Sequence, residues 1–261
     1  MGSNTTSLDI YMFPCLKDNY GFLLHDAINN LTAAIDTPDV DAIEKALATK
    51  GWILTHILNT HHHWDHAGGN LELKKKTGCM IAGPHAEASR IPGIDIEFSE
   101  GDIFQFGQFN AKVYDTPGHT SGHIVYHFES ERVAFVGDTL FAMGCGRLFE
   151  GTADQMWNSL QKIMQWPDET KIYCAHEYTQ TNARFALTVE PHNKDLITRA
   201  KDVDKIRTAG NPTIPTILGL EKETNPFLRP MSASIRNTLK MTHETDLEVF
   251  TEIRQLKDKF R

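Results

Sequence analysis

The seven residues Thr60-His61-His62-His63-Trp64-Asp65-His66 constrain this chain more than any other stretch. They follow directly on the apolar run Trp52-Ile53-Leu54-Thr55-His56-Ile57-Leu58 and crowd imidazoles around a carboxylate. Neutral imidazole and carboxylate are donors that divalent cations take, and such density is rare without a cation to hold it together. If the chain is still extended as it leaves the strand, side chains alternate, so His61 and His63 point the same way and can grip one cation. Asp65 and His66 then stand at the start of a helix predicted over 67–76, whose end is marked by Lys74-Lys75-Lys76 and Gly78, and they can aim at a second cation. A merely solvated histidine run lacks the interleaved acid and the following helix signal.

Three further segments each deliver a histidine or aspartate just past an apolar stretch. They are Val113-Tyr114-Asp115-Thr116-Pro117-Gly118-His119, Val133-Ala134-Phe135-Val136-Gly137-Asp138-Thr139 and Lys171-Ile172-Tyr173-Cys174-Ala175-His176. Ligands at strand ends, on loops held by a rigid sheet, are a common way to build a reaction site. A lone Gly-Asp is usually a turn and a lone histidine usually a loop residue, but the three together, after the first cluster and in this order, form a specific constellation.

That order of motifs resembles the metallo-β-lactamase superfamily, whose His-x-His-x-Asp-His signature stands here as His61, His63, Asp65 and His66. Within it, four segments are similar to glyoxalase II, the hydroxyacylglutathione hydrolases. They are Gly144-Cys145-Gly146-Arg147-Leu148-Phe149-Glu150-Gly151-Thr152, Ala175-His176-Glu177-Tyr178-Thr179, Asn225-Pro226-Phe227-Leu228-Arg229 and Ile253-Arg254-Gln255-Leu256-Lys257-Asp258-Lys259-Phe260. The likeness runs from about Ile10 to the last residue.

The resemblance implies that His61, His63 and His119 hold one metal, that Asp65, His66 and His176 hold the other, and that Asp138 bridges them. Zinc is the first expectation for the two ions, and iron and manganese suit the same ligands. Two cations roughly 3.5–4 Å apart lower the pKa of a shared water towards ~7, and the hydroxide attacks a thioester carbonyl, with Asp65 and Asp138 as the catalytic carboxylates. The implied substrate is S-D-lactoylglutathione or a related 2-hydroxyacyl glutathione, hydrolysed to glutathione and D-lactate in the second step of methylglyoxal detoxification. Implied substrate contacts are Arg147, Leu148, Phe149, Tyr178, Arg254 and Lys257. Some members carry lysine and tyrosine where Arg147 and Phe149 stand, so the charge is kept and a hydroxyl is lost. His62, His123 and His127 receive no role. The rivals are a persulfide dioxygenase-like enzyme or another hydrolase of the superfamily, and, from a different class, a metal-binding module without turnover.

Composition agrees with an ordinary soluble enzyme. With 261 residues, 40% of them hydrophobic, the chain can bury a sizeable core. No apolar run approaches the ~20 residues of a membrane span. Neither a secretory signal nor an obvious transit peptide opens the chain, so a cytoplasmic monomer without membrane or nucleic-acid partners is expected. Met1-Gly2-Ser3-Asn4-Thr5-Thr6 fits the loose myristoylation pattern, but no basic cluster follows to reinforce a single acyl chain. Cys15, Cys79, Cys145 and Cys174 are scattered and read as reduced thiols, with Cys145 a small filler between two glycines.

The expected fold is α/β, an αββα sandwich of the metallo-β-lactamase type over residues 1–176, the catalytic domain, followed by a smaller helical, substrate-binding domain over 177–261. Short β-like runs at 8–13, 21–25, 32–35, 53–59, 112–114, 124–127 and 133–136 alternate with helical stretches in the first part. Thr152-Ala153-Asp154-Gln155 and Thr245-Asp246-Leu247-Glu248 read as capping boxes. The first opens a helix with Met156, Leu160, Ile163 and Met164 on one stripe, stopped by Pro167, and the second a helix with Val249, Ile253, Leu256 and Phe260 on another. Arg254 and Lys257, three apart, share a different face. The chain carries a formal net charge of −8, yet residues 222–261 hold eight bases against six acids. Such a chain can receive a small anion locally while repelling polyanions such as DNA or RNA.

Overall fold

The computed structural model describes residues 7–260, so the acylation pattern of residues 1–6 and the terminal Arg261 lie outside them. The chain divides into two compact units, Met1–Asp115 with Gly122–Gly137, and Thr116–Ser121 with Asp138–Arg261.

The first unit is a layered sandwich. Its elements are β1 (Asp9–Cys15), β2 (Asn19–Asp26), β3 (Leu31–Ile35), α1 (Val40–Lys50), β4 (His56–Leu58), α2 (Trp64–Ala67), α3 (Asn70–Thr77), β5 (Met80–Pro84), a 3-10 turn (His85–Arg90), β6 (Ile96–Phe98), β7 (Ile103–Phe106), β8 (Phe109–Asp115), β9 (Ile124–Phe128) and β10 (Val133–Gly137). One sheet runs in the order β1-β2-β3-β4-β5-β6. Its first three strands are antiparallel, and β3 to β6 are parallel. The strands β7 to β10 form an antiparallel meander.

Each layer is held by a continuous apolar surface. Every residue of β2, β9 and β10 is buried, as expected of strands covered on both faces. Helix α1 starts where the Asp39 carboxylate accepts the Ala42 N–H and ends at the left-handed Gly51. It lays Ile43, Ala46 and Leu47 on Leu23, Ala34, Ile57 and Ile81 of the first sheet. The two sheets meet through ring contacts, Phe22 with Phe135 and His56 with Phe104 and Phe106.

Two sequence expectations change here. The helix predicted over 67–76 is two helices, α2 beginning earlier at Trp64 and α3 ending at Thr77, with the left-handed Gly78 after it. The break falls at Gly68-Gly69 because the Gly69 N–H donates to the Thr37 carbonyl (3.1 Å), and a Cβ on Gly69 would lie 2.9 Å from that oxygen. Of the run 53–59, only His56, Ile57 and Leu58 form β4, the three residues in register with both β3 and β5.

The second unit is mostly helical. It comprises β11 (Leu140–Phe141), β12 (Gly144–Cys145), α4 (Ala153–Met164), β13 (Lys171–Cys174), α5 (Thr179–Val189), α6 (Lys194–Thr208), β14 (Thr216–Ile217), α7 (Leu218–Thr224), a 3-10 turn (Pro226–Leu228), α8 (Ala233–Leu239) and α9 (Asp246–Lys259). Both capping boxes are formed, Thr152 with Gln155 before α4 and Thr245 with Glu248 before α9. Met156, Leu160 and Ile163 are buried on α4, whereas Met164 is only partly so. Ala183 and Ala186 of α5 pack with Leu196, Ala200 and Val203 of α6 around Met143.

A polar network fixes the β11–β12 hairpin. The buried Glu221 carboxylate accepts the Met143 N–H (2.8 Å) and pairs with Arg199. Asn225 donates its amide to the carbonyls of Phe141 and Gly144, and Asn182 donates to that of Ala142. Satisfied buried groups of this kind hold a loop in one geometry, because breaking any one leaves a desolvated group without a partner. Among the described residues no helix is long and apolar enough to cross a membrane.

Candidate functional site

Each unit carries its own share of the residues expected from sequence to hold metal. In the first unit, Thr60 to His63 leave β4 without joining a sheet, and Asp65 and His66 lie on the single turn of α2. His61 and His66 are fully buried, and His63 and Asp65 partly so. His61 and His63 do converge, with Nε2 of one 3.0 Å from Nδ1 of the other. His66 Nε2 lies 3.6 Å from the Asp65 carboxylate.

Asp36, immediately after β3, decides how these imidazoles face. Its backbone is left-handed, with φ of 57°, a conformation that aspartate tolerates better than most residues. The carboxylate accepts the Thr60 N–H and hydroxyl, both at 2.8 Å, and His66 Nδ1–H at 2.8 Å. A carboxylate can only accept, so the proton sits on His66 Nδ1, and in the neutral ring the lone pair is on Nε2. Thr60 spends its hydrogen on Asp36, so its oxygen accepts from His61 Nδ1 at 3.0 Å, and His61 likewise presents Nε2. Asn19, at the β1–β2 turn, donates to Asp65 Oδ2 (3.1 Å) and leaves the other oxygen to point elsewhere.

In the second unit, His119, Asp138 and His176 come together, all buried. His119 Nδ1 donates to the Arg147 carbonyl (2.9 Å), so in the neutral ring its Nε2 carries the lone pair. That Nε2 lies 3.3 Å from Asp138 Oδ2, while His176 Nε2 lies 3.4 Å from Asp138 Oδ1. One carboxylate thus turns a different oxygen to each imidazole. That arrangement suits a carboxylate shared between two cations, and imidazoles whose outer nitrogens are tied to acceptors are how proteins present metal ligands. The donor sets of both units fit divalent cations.

A cavity of about 380 Å³ opens beside these second-unit ligands. His119 and Asp138 line one part of it, and Phe141, Phe149, Tyr178 and Phe260 supply aromatic walls. Tyr178 stacks flat on His176, 4.8 Å between ring centres, and Phe149 meets His119 edge-on at 5.2 Å. Arg147, Arg254 and Lys257 make the lining cationic. Leu148, between Arg147 and Phe149, is outside the lining.

The two helix-α9 bases differ in kind. Arg254 is only 3% exposed. Its guanidinium donates to the Cys145 carbonyl (2.9 Å) and to Asp258 (2.8 Å), so it braces the loop that leads to Arg147. Lys257 stands over the rings of Phe185 and Phe260 at 5.6 and 5.4 Å. Burial first, and the Arg254 and Arg147 guanidinia next, push its ammonium down to about 8. Burial pushes the Cys145 thiol up to about 11, so it is no nucleophile at neutral pH. All four cysteines are buried and free.

Asp36, Asn19 and the wall residues Phe141 and Phe260 were not among the site residues expected from sequence. Asp36 had a signal, since it too follows an apolar strand run, whereas Asn19 had none.

The metallo-beta-lactamase superfamily matches residues 31–176, and the hydroxyacylglutathione hydrolase C-terminus matches residues 177–260. A hydroxyacylglutathione hydrolase of Maricaulis maris is 54% identical over 98% of this chain and 100% of its own length. One of Methylococcus capsulatus is 52% identical over 97% of this chain and 99% of its own. In fold, the chain is similar to the crystal structure of ETHE1 from Myxococcus xanthus, with a TM-score of 0.68 at 24% identity, covering 96% of this chain and 90% of that one.

Proposed function

The chain belongs to the hydroxyacylglutathione hydrolases of the metallo-β-lactamase superfamily, and from that premise we propose that it hydrolyses S-D-lactoylglutathione, or a closely related 2-hydroxyacyl glutathione, to glutathione and the hydroxy acid. The observation that carries this reading is the cavity. It is lined at once by the ligand-type residues His119 and Asp138 and by Arg147 and Lys257, and its volume of about 380 Å³ is in the range that suits a small ligand.

In this reading His61, His63 and His119 would hold one divalent cation, Asp65, His66 and His176 would hold a second, and Asp138 would serve both. When bound, the two ions supply a water acidic enough to attack at neutral pH and Lewis-acid stabilisation of the carbonyl oxygen. Asn19 supports this by occupying one oxygen of Asp65, and Asp36 by setting the tautomers of His61 and His66. Arg147 and Lys257 attract a glutathione carboxylate, and the Phe141, Phe149 and Tyr178 rings shield the thioester from bulk water. A thiol leaves with a pKa of roughly 8.5, so no side chain has to protonate it. Residues 177–261 act as the substrate-binding domain.

The test pairs elemental analysis of protein isolated without added metal with thiol release from S-D-lactoylglutathione. Divalent metal in the isolated protein, turnover that a chelator abolishes and added zinc, iron or manganese restores, and release of one thiol per hydroxy acid are expected. Metal-loaded protein that cleaves no acyl glutathione, or that consumes oxygen with a persulfide, refutes the proposal.

A further inference from the structure

We propose that Glu87 is a positioning residue for the metal-ligand loop, its buried carboxylate clamping the peptide between His61 and His63 to the chain at Gly122. The inference rests on the reading of His61 and His63 as ligands. For both rings to face one cation, the peptide between them must be held, and this stretch lies outside the strands of the sheet. Glu87, on the 3-10 turn and fully buried, supplies the acceptor. Its Oε2 accepts the His62 N–H at 2.9 Å and His62 Nδ1–H at 2.8 Å. Its Oε1 accepts the Gly122 N–H at 2.9 Å.

The Gly122 end is a fitted close approach. A Cβ there would lie 2.7 Å from both Ala86 Cβ and Glu87 Cγ, a separation real Cβ atoms do not show, so only glycine lets this stretch of chain reach the carboxylate. The next two residues brace the same loop. The His123 ring stacks on His61 at 4.8 Å between centres, and the Ile124 N–H donates to the Thr60 carbonyl at 2.9 Å. Residues 60 to 62 are therefore gripped at the backbone and at the His61 ring by Glu87 and by residues 122–124.

A simpler role, an ion pair with Arg90, explains less. Arg90 approaches one oxygen at 3.3 Å from a side chain that is 39% exposed. Such an exposed pair offsets little of the penalty for burying a carboxylate. The shorter bonds go to the two loops, and these are what a carboxylate placed to hold backbone donors would make.

The test uses Glu87→Gln, whose amide keeps the shape but turns one acceptor into a donor, so one clamped N–H loses its partner. Glu87→Asp, which keeps the charge and withdraws it by one methylene, serves should the first variant fail to fold. In the metal-free protein, amide exchange over residues 61–63 and 122–124 should quicken by at least about tenfold. In the metal-loaded protein, loss of metal to a chelator should quicken, and turnover should fall by roughly 10–100-fold with KM nearly unchanged. Exchange, metal release and turnover equal to the parent's in a folded variant overturn the clamp, as does a rise in KM alone. The metal-free exchange is read against the parent whatever the substrate, so failure here is distinct from a parent that neither holds metal nor cleaves thioesters.

Discussion

In the proposed reading Lys257 sets stability and substrate binding against each other, and changing it separates the two. Its ammonium titrates at about 8 in the folded chain, well below the usual 10.5 of a lysine, chiefly through burial. At pH 7 it is still roughly nine-tenths charged, and at pH 9 roughly one-tenth. If the charged form receives a substrate carboxylate, kcat/KM should fall about tenfold per pH unit above pH 8, since this constant reports groups of the free enzyme. Lys257→Arg, charged throughout, should carry that alkaline limb well beyond pH 9. Lys257→Met should lack it and lose at least about tenfold in kcat/KM at pH 7, the worth of one charge-assisted contact. Stability should move the opposite way. A lysine with a depressed folded pKa destabilises the fold fully below pH 8, and the penalty fades between about 8 and 10.5, where the unfolded chain still holds a proton that the folded one has released. Lys257→Met should therefore be more stable than the parent at pH 7 by on the order of 1–3 kcal/mol, allowing for screening at a half-buried position, and should lose that advantage by pH 10. Thiol-release kinetics from pH 6 to 10 and melting at the same pH values supply both readouts. An alkaline limb that stays at pH 8 in Lys257→Arg refutes the argument.

Asp138→Ala should lower bound metal and reduce turnover by orders of magnitude with the fold retained; elemental analysis alongside kinetics checks this, and two tightly held ions with near-parent turnover would remove Asp138 from the site. Arg254→Ala should destabilise the protein by about 1–3 kcal/mol in urea unfolding, because the Cys145 carbonyl loses its buried donor, and should also raise KM through the loosened Arg147 loop. An Arg254→Ala protein as stable as the parent would mean the brace is unimportant. Asp36→Asn should weaken metal binding by roughly 10–100-fold in competition with a chelator, since an amide cannot accept from Thr60 and His66 at once in the same way.

The contrast between Arg254 and Lys257 shows where reading the chain by itself stops. Helical spacing puts both off the apolar stripe of α9, and both reach the cavity lining, Lys257 from a half-buried position. Arg254 is buried because the loop at Cys145, more than a hundred positions away in the chain, covers it. Features made within a few residues were legible from sequence: both capping boxes formed, Gly78 ends α3, and His61 and His63 converge. Each is decided by short-range backbone sterics and hydrogen bonds, which local residue choice controls.

What tertiary structure alone decided are the acceptors that reach these elements from afar. The break between α2 and α3 exists because the Gly69 N–H finds Thr37, not a helical carbonyl. Asp36 sets the imidazole tautomers from 30 residues before His66, and Asn19 reaches Asp65 from 46 residues away. No periodicity marks such partners, because their only requirement is one acceptor or donor at one point in space. The type and order of the candidate ligands are written along the chain, since each donor's chemistry belongs to its own side chain. Their orientation and the cavity beside them come from packing, because direction in a folded protein is imposed by neighbours that the chain order does not reveal.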